Sequence, residues 1–160
     1  MVTKRLVAYG AGPRHTKGFL DHSNGFETGH NSPRDYLEAY IEKIELLENQ
    51  VGAFVRFDLE AARKSADAAG QRYQENCTNS QLDGLPIALK DIIQTAELPT
   101  ESGSPIFKGW TALHDSPVAA ALKRAGTIIV GKTTTTEFAY GATTETRNPY
   151  DLQRTPGTSS

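Results

Sequence analysis

The chain has 160 residues, 38% of them hydrophobic, which is enough for one small domain and lean for a large core. Its 17 Lys and Arg against 19 Asp and Glu leave a net charge of −2, which excludes recognition of nucleic acid or an anionic membrane through bulk charge. A single cysteine, Cys77 in a polar stretch, excludes an internal disulfide and a cysteine zinc cage. No run approaches the roughly 18 apolar residues of a membrane span, and the N-terminus, with Lys4, Arg5 and Gly10 to Pro13, lacks the apolar block of a signal peptide. A cytoplasmic protein is expected.

Residues 1–30 are rich in Gly, His, Lys and Asn without a sustained apolar period, and are predicted to be an irregular N-terminal arm. Ser32-Pro33-Arg34-Asp35 then carries a helix start, with a serine cap, proline at the first helical position and a carboxylate in the first turn. From there to about Glu48, Tyr36, Leu37, Tyr40, Ile41, Ile44 and Leu47 recur at steps of three and four and share one face. Ala53 to Phe57 is a short strand, and Asp58 caps a second, alanine-rich helix from Leu59 to about Tyr73. A polar loop follows through Ser80, then an apolar run that ends at Lys90, then a loop from Pro99 to Thr111 punctuated by Gly103, Pro105 and Gly109. Asp115-Ser116-Pro117 opens a third helix, Val118 to Arg124, which closes at Gly126, and Thr127 to Val130 is a buried strand. The order strand, helix, strand predicts an α/β fold with a mixed or parallel sheet flanked by helices.

Gly84-Leu-Pro-Ile-Ala-Leu-Lys90-Asp91 sets one lysine at the end of a run entering the core. Desolvation there would depress the amine's pKa, and a neutral lysine is a general base. Taken alone, Lys90 reads more readily as a solvated gatekeeper at a strand end than as a base. Far downstream, Thr155-Pro156-Gly157-Thr158-Ser159-Ser160 supplies adjacent hydroxyls of the kind Ser–Lys chemistry needs, or simply a polar tail.

Gly126 to Thr133 formally satisfies the phosphate-loop pattern GxxxxGK[ST], yet its variable positions are β-branched and apolar, so they form the strand themselves and ATP or GTP binding is rejected. His15, His22, His30 and His114 show no paired short spacing, so no metal is expected. Glu137 reads as a surface or capping carboxylate, and Thr133 to Thr136 as hydroxyls that either brace a catalytic loop or line a solvated strand edge. Arg147 to Asp151 reads as a turn.

Four segments, GLPIALKD, its extension GLPIALKDIIQTAELPTESGSPIF, DSPVAAALKRAGTIIVGKTTTTEFAYG and TRNPYDLQRTPGTSS, resemble in order and spacing the amidase signature family, over roughly residues 31–160. The resemblance implies the N-terminal part of the family's mixed β-sheet core, truncated, and a Ser/cis-Ser/Lys hydrolase that splits a carboxylic amide into acid and ammonia. Lys90 matches the family's lysine and Ser159 its bridging serine, with Ser160 in support. Thr158 stands where the family usually has a second glycine, which permits backbone angles that a β-branched residue resists. The family's acyl-accepting serine, in a Gly-Gly-Ser loop beyond the bridging serine, has no counterpart within these residues. The resemblance therefore implies a catalytic centre in a longer protein and an inactive chain as given. A small-molecule amide is the implied substrate, without cofactor, metal, nucleic acid or membrane, and a homo-oligomer is left open. Two alternatives stand beside it: a truncated remnant or interaction module without turnover, and part of an A subunit of a tRNA-dependent amidotransferase.

Overall fold

The computed structural model describes residues 18–141 and 143–157. Among the described residues four helices and three strands follow in the order α1 (Phe19–Glu27), α2 (Pro33–Val51), β1 (Phe54–Phe57), α3 (Leu59–Gln74), β2 (Pro86–Lys90), α4 (Pro117–Arg124) and β3 (Ile128–Thr133). Single 3₁₀ turns at Pro105–Phe107 and Glu137–Ala139 lie in the loops after β2 and β3. The architecture is the expected α/β one.

Local chemistry sets the helix starts. The Ser32 and Asp58 side chains accept from the N–H groups of Asp35 and Ala61, each at 3.0 Å, and Ser116 accepts from Ala119 at 3.3 Å. Each bond satisfies an amide that a helix N-terminus otherwise leaves orphaned. α2 ends at Gly52, which turns left-handed at φ 61° and donates to Glu48 O at 2.8 Å.

The sheet order is β1–β3–β2, with β1 antiparallel and β2 parallel to the central β3. Leu37 and Ile41 of α2, Ala62 and Ala66 of α3, and Ile128 and Val130 of β3 form the core. The alanines keep α3 thin between α2 and the sheet, while burial of each large aliphatic side chain contributes about 1.5–3 kcal/mol.

The strand β3 occupies most of the phosphate-loop pattern. The amide of Ile128 donates to Leu85 O at 2.8 Å, and those of Gly126 and Thr127 return to Lys123 and Leu122. None of the three is free to cradle a phosphate. Gly126 takes φ +86°, and a Cβ there would lie 2.4 Å from Asp83 Oδ1, so the turn into β3 packs backbone against a carboxylate that Arg72 holds with two hydrogen bonds of 2.8 and 2.6 Å.

The prediction of an irregular arm over residues 1–30 needs correction within its second half. Phe19–Glu27 is a helix, and Phe26, 5% exposed, meets the rings of Tyr36 and Tyr73 edge-on at 5.9 and 5.4 Å. A nine-residue helix with an internal glycine has poor propensity, and tertiary packing on α2 and α3 overrides it. Residues 1–17 lie outside the described ones. Among the described residues no helix is long and apolar enough to cross a membrane.

Candidate active site

Because β2 and β3 run parallel, their carboxyl ends share one edge, the place where open α/β sheets hold their ligands. Lys90 is the last residue of β2 and pairs in register with Thr133, the last of β3. Its side chain is half-buried, and none of the hydrogen bonds or ion pairs among the described residues uses its amine.

The amine wholly sealed from solvent belongs instead to Lys132, at 0% exposure. Its Nζ donates to Ile93 O at 2.5 Å and to Thr100 Oγ1 at 2.8 Å, and stands 3.9 Å from Asp91 Oδ1. Lys132 is registered with Leu89, one step before Lys90. Successive strand residues point to opposite faces, so the two lysines leave the sheet in opposite directions. Burial pushes the Lys132 amine below the ordinary lysine value, with the Asp91 charge opposing, and burial likewise pushes the Asp91 carboxyl upward. Sequence reasoning gave Lys132 no role beyond the rejected phosphate-loop pattern. The available signal was a lysine two residues after the apolar run Thr127 to Val130, in a strand buried on both sides.

Two loops rise from the strand ends and are stitched together. Asp91 N–H extends the ladder to Thr133 O at 3.0 Å, and Ser102 N–H returns to Asp91 O at 2.9 Å. Asp91 Oδ2 accepts from Glu101 N–H at 3.1 Å, and Glu101 in turn takes Arg56 at 2.8 Å and Gly109 N–H at 2.7 Å. Phe138 N–H donates to Ser102 O at 2.8 Å, and Ser104 Oγ to Glu137 Oε1 at 2.7 Å. Glu137 thus braces the loop after β2. Thr135 is buried, and Thr134 N–H donates to Ala53 O at 2.8 Å, so this hydroxyl run is built into the loop base.

Gly103 takes φ +64° where a Cβ would lie 2.6 Å from Thr135 O, so the two loops leave no room for a side chain at this position. Phe138 and Ala139 hold left-handed φ values of 51° and 59°, a strain of order 1–3 kcal/mol each that clusters at functional sites. Phe107 meets Phe138 and Trp110 at 6.1 and 5.9 Å, giving the rim an exposed aromatic edge.

The approach to the serines is a turn, as predicted. Asn148 Oδ1 accepts from Tyr150 N–H at 2.9 Å, and Asp151 Oδ2 from Arg154 Nε at 2.9 Å. It is moored to the end of α2 by Arg147 N–H to Val51 O and Thr146 Oγ1 to Gly52 O, both at 2.8 Å. Ser159, Ser160 and Thr158 lie outside the described residues.

Comparison with known proteins gives one consistent result. A family model described as Amidase matches residues 35–160. The A subunit of glutamyl-tRNA(Gln) amidotransferase from Salinispora arenicola (strain CNS-205) is 37% identical over 135 residues, 81% of this chain and 28% of that protein. The chain thus spans little more than a quarter of the length of that relative. A chain from a vestigial protein complex tied to the evolutionary origins of an s-triazine catabolic enzyme is 33% identical at a TM-score of 0.79, over 85% of this chain and 31% of its own. The native peptide amidase of Stenotrophomonas maltophilia shares the fold, with a TM-score of 0.80 at 23% identity, over 90% of this chain and 32% of its own.

Proposed function

Because the chain belongs to the amidase family, we propose that it carries the lysine-bearing part of an amide hydrolase centre, with Lys90 as the general base and Ser159 as the bridging hydroxyl. The observation that carries this reading is the contrast between the two lysines. Lys132 spends its amine on Ile93 and Thr100 and is closed to solvent, whereas Lys90 stands at the open strand edge with no competing bond among the described residues.

In the proposed reaction the Lys90 amine accepts a proton from the Ser159 hydroxyl, which takes one from the acyl-accepting serine as that oxygen attacks the amide carbonyl. The C–N bond then breaks, and the proton returns through Ser159 to the leaving nitrogen, so ammonia departs and an ester is left. Water repeats the relay to release the acid. The resemblance puts the acyl-accepting serine beyond residue 160, so this activity is proposed for the protein that includes it, and residues 1–160 by themselves are expected to release no ammonia from amides.

A second reading, the A subunit of an amidotransferase, draws on the 37% identity to a relative of that name. It differs in where the ammonia goes, and it predicts release that depends on partner subunits. Both readings are tested by measuring ammonia from an aliphatic and an aryl amide in the protein that carries the acyl-accepting serine, with and without partner subunits and with and without Lys90→Ala. A loss of about a thousandfold or more is expected. Undiminished turnover in Lys90→Ala would sink the assignment of the base.

A further inference from the structure

We infer that Lys132 is a positioning residue for the chemistry at Lys90: a buried cation on the opposite face of the sheet that fastens the turn leaving β2. This rests on the reading of Lys90 as the base. The connection is short. Lys132 Nζ donates to Ile93 O at 2.5 Å, and Ile93 N–H donates to Lys90 O at 2.9 Å. The next residue, Asp91, is held through its N–H by Thr133 O at 3.0 Å, on the neighbour of Lys132 in β3. The second Lys132 bond, to Thr100 Oγ1, grips the returning arm of the same loop, where Thr100 N–H reaches Trp110 O at 2.8 Å and Ser102 N–H closes on Asp91 O at 2.9 Å. The carbonyl of Lys90 and the peptide that follows it are therefore tied into a frame whose common post is Lys132.

Stability alone gives little reason for that post. An ammonium at 0% exposure carries a desolvation penalty, its carboxylate partner stands 3.9 Å away with Asp91 Oδ1 unbonded, and an apolar side chain of similar length would fill the space without that penalty. What an apolar side chain could not supply is the pair of directed donors to Ile93 and Thr100. Displacement of a reacting group by about 1 Å is enough to cost a hundredfold in rate.

The test is the double variant Lys132→Met/Asp91→Asn, which removes both charges and keeps an acceptor for Glu101 N–H, in the protein that carries the acyl-accepting serine. The expected result is a folded protein with kcat lowered about 10- to 100-fold and KM little changed. A second readout needs no turnover: the rate at which acetic anhydride acylates Lys90 relative to the exposed Lys64, followed by peptide mass in the same protein, should change several-fold in the variant. Unchanged kcat together with unchanged Lys90 acylation would overturn the proposal. If the double variant does not fold, Thr100→Val, which removes a single acceptor, takes its place, and full kcat with wild-type Lys90 acylation in that variant is equally fatal. Lys90→Ala run in parallel separates the two claims. Retained turnover there defeats the base assignment itself, whereas an inactive Lys90→Ala beside fully active Lys132 and Thr100 variants defeats only the positioning role.

Discussion

The two faces of the β2–β3 pair treat their lysines in opposite ways. On one, Lys132 is sealed, bonded twice and set near a buried carboxylate. On the other, Lys90, one register step away, is half-buried with its amine unused among the described residues. Burial and chemical availability are thus separate properties. A lysine held by strong bonds is a structural post, and a base must keep its lone pair uncommitted within reach of a proton donor.

Four measurements break or sharpen that contrast. The largest effect is expected from Lys132→Ala, which leaves Asp91 buried without its cation and should lower unfolding free energy by about 3–5 kcal/mol in urea titration. A loss below about 1 kcal/mol would mean that water enters the site freely. Gly103→Ala comes next. It forces a Cβ against Thr135 O at a left-handed backbone and should cost about 1–3 kcal/mol, read from the same denaturation curves.

The acid side of the stability profile supplies a screened counterpart to the buried pair. On the outer surface of α2 and α3, Arg63 clamps Glu38 with two bonds of 2.8 and 2.9 Å, and these, joined by Arg34, hold its carboxyl down at about 2 from an ordinary 4.5. A carboxylate lowered on folding stabilises the native state above its unfolded pKa, so this contribution is lost as pH falls from about 4.5 through about 2. Arg63→Gln should flatten that part of the curve, and an unchanged acid limb would contradict the assignment. The smallest effect is expected from Lys90→Met, whose unfolding free energy should stay within about 0.5 kcal/mol of the parent while activity disappears.

What could be read from the sequence divides along the same line between local and distant causes. Ser32-Pro33, Asp58 and Ser116-Pro117 announce helices because the cap and the amide it satisfies lie three residues apart. The strands at Phe54 and Ile128 announce themselves by composition, and the Lys90 segment by its family motif. α1 stayed hidden because Phe26 is secured by Tyr36 and Tyr73, partners on two other helices. Lys132 stayed hidden for the same reason: Ile93 and Thr100, which bury and bond it, lie more than thirty residues earlier in the chain. The serines of the tail were legible only through the family pattern.

Residues 91–104 contain no regular helix or strand, yet Asp91, Ile93, Thr100 and Ser102 donate their N–H groups to backbone carbonyls and Glu101 donates to a buried carboxylate. A loop wired this way opens only when its strands open. In deuterated water its amide hydrogens should exchange with those of β2 and β3, in one cooperative step, rather than at the rate of an ordinary surface connection. The ground beside Lys90 would then be as rigid as the sheet that carries it.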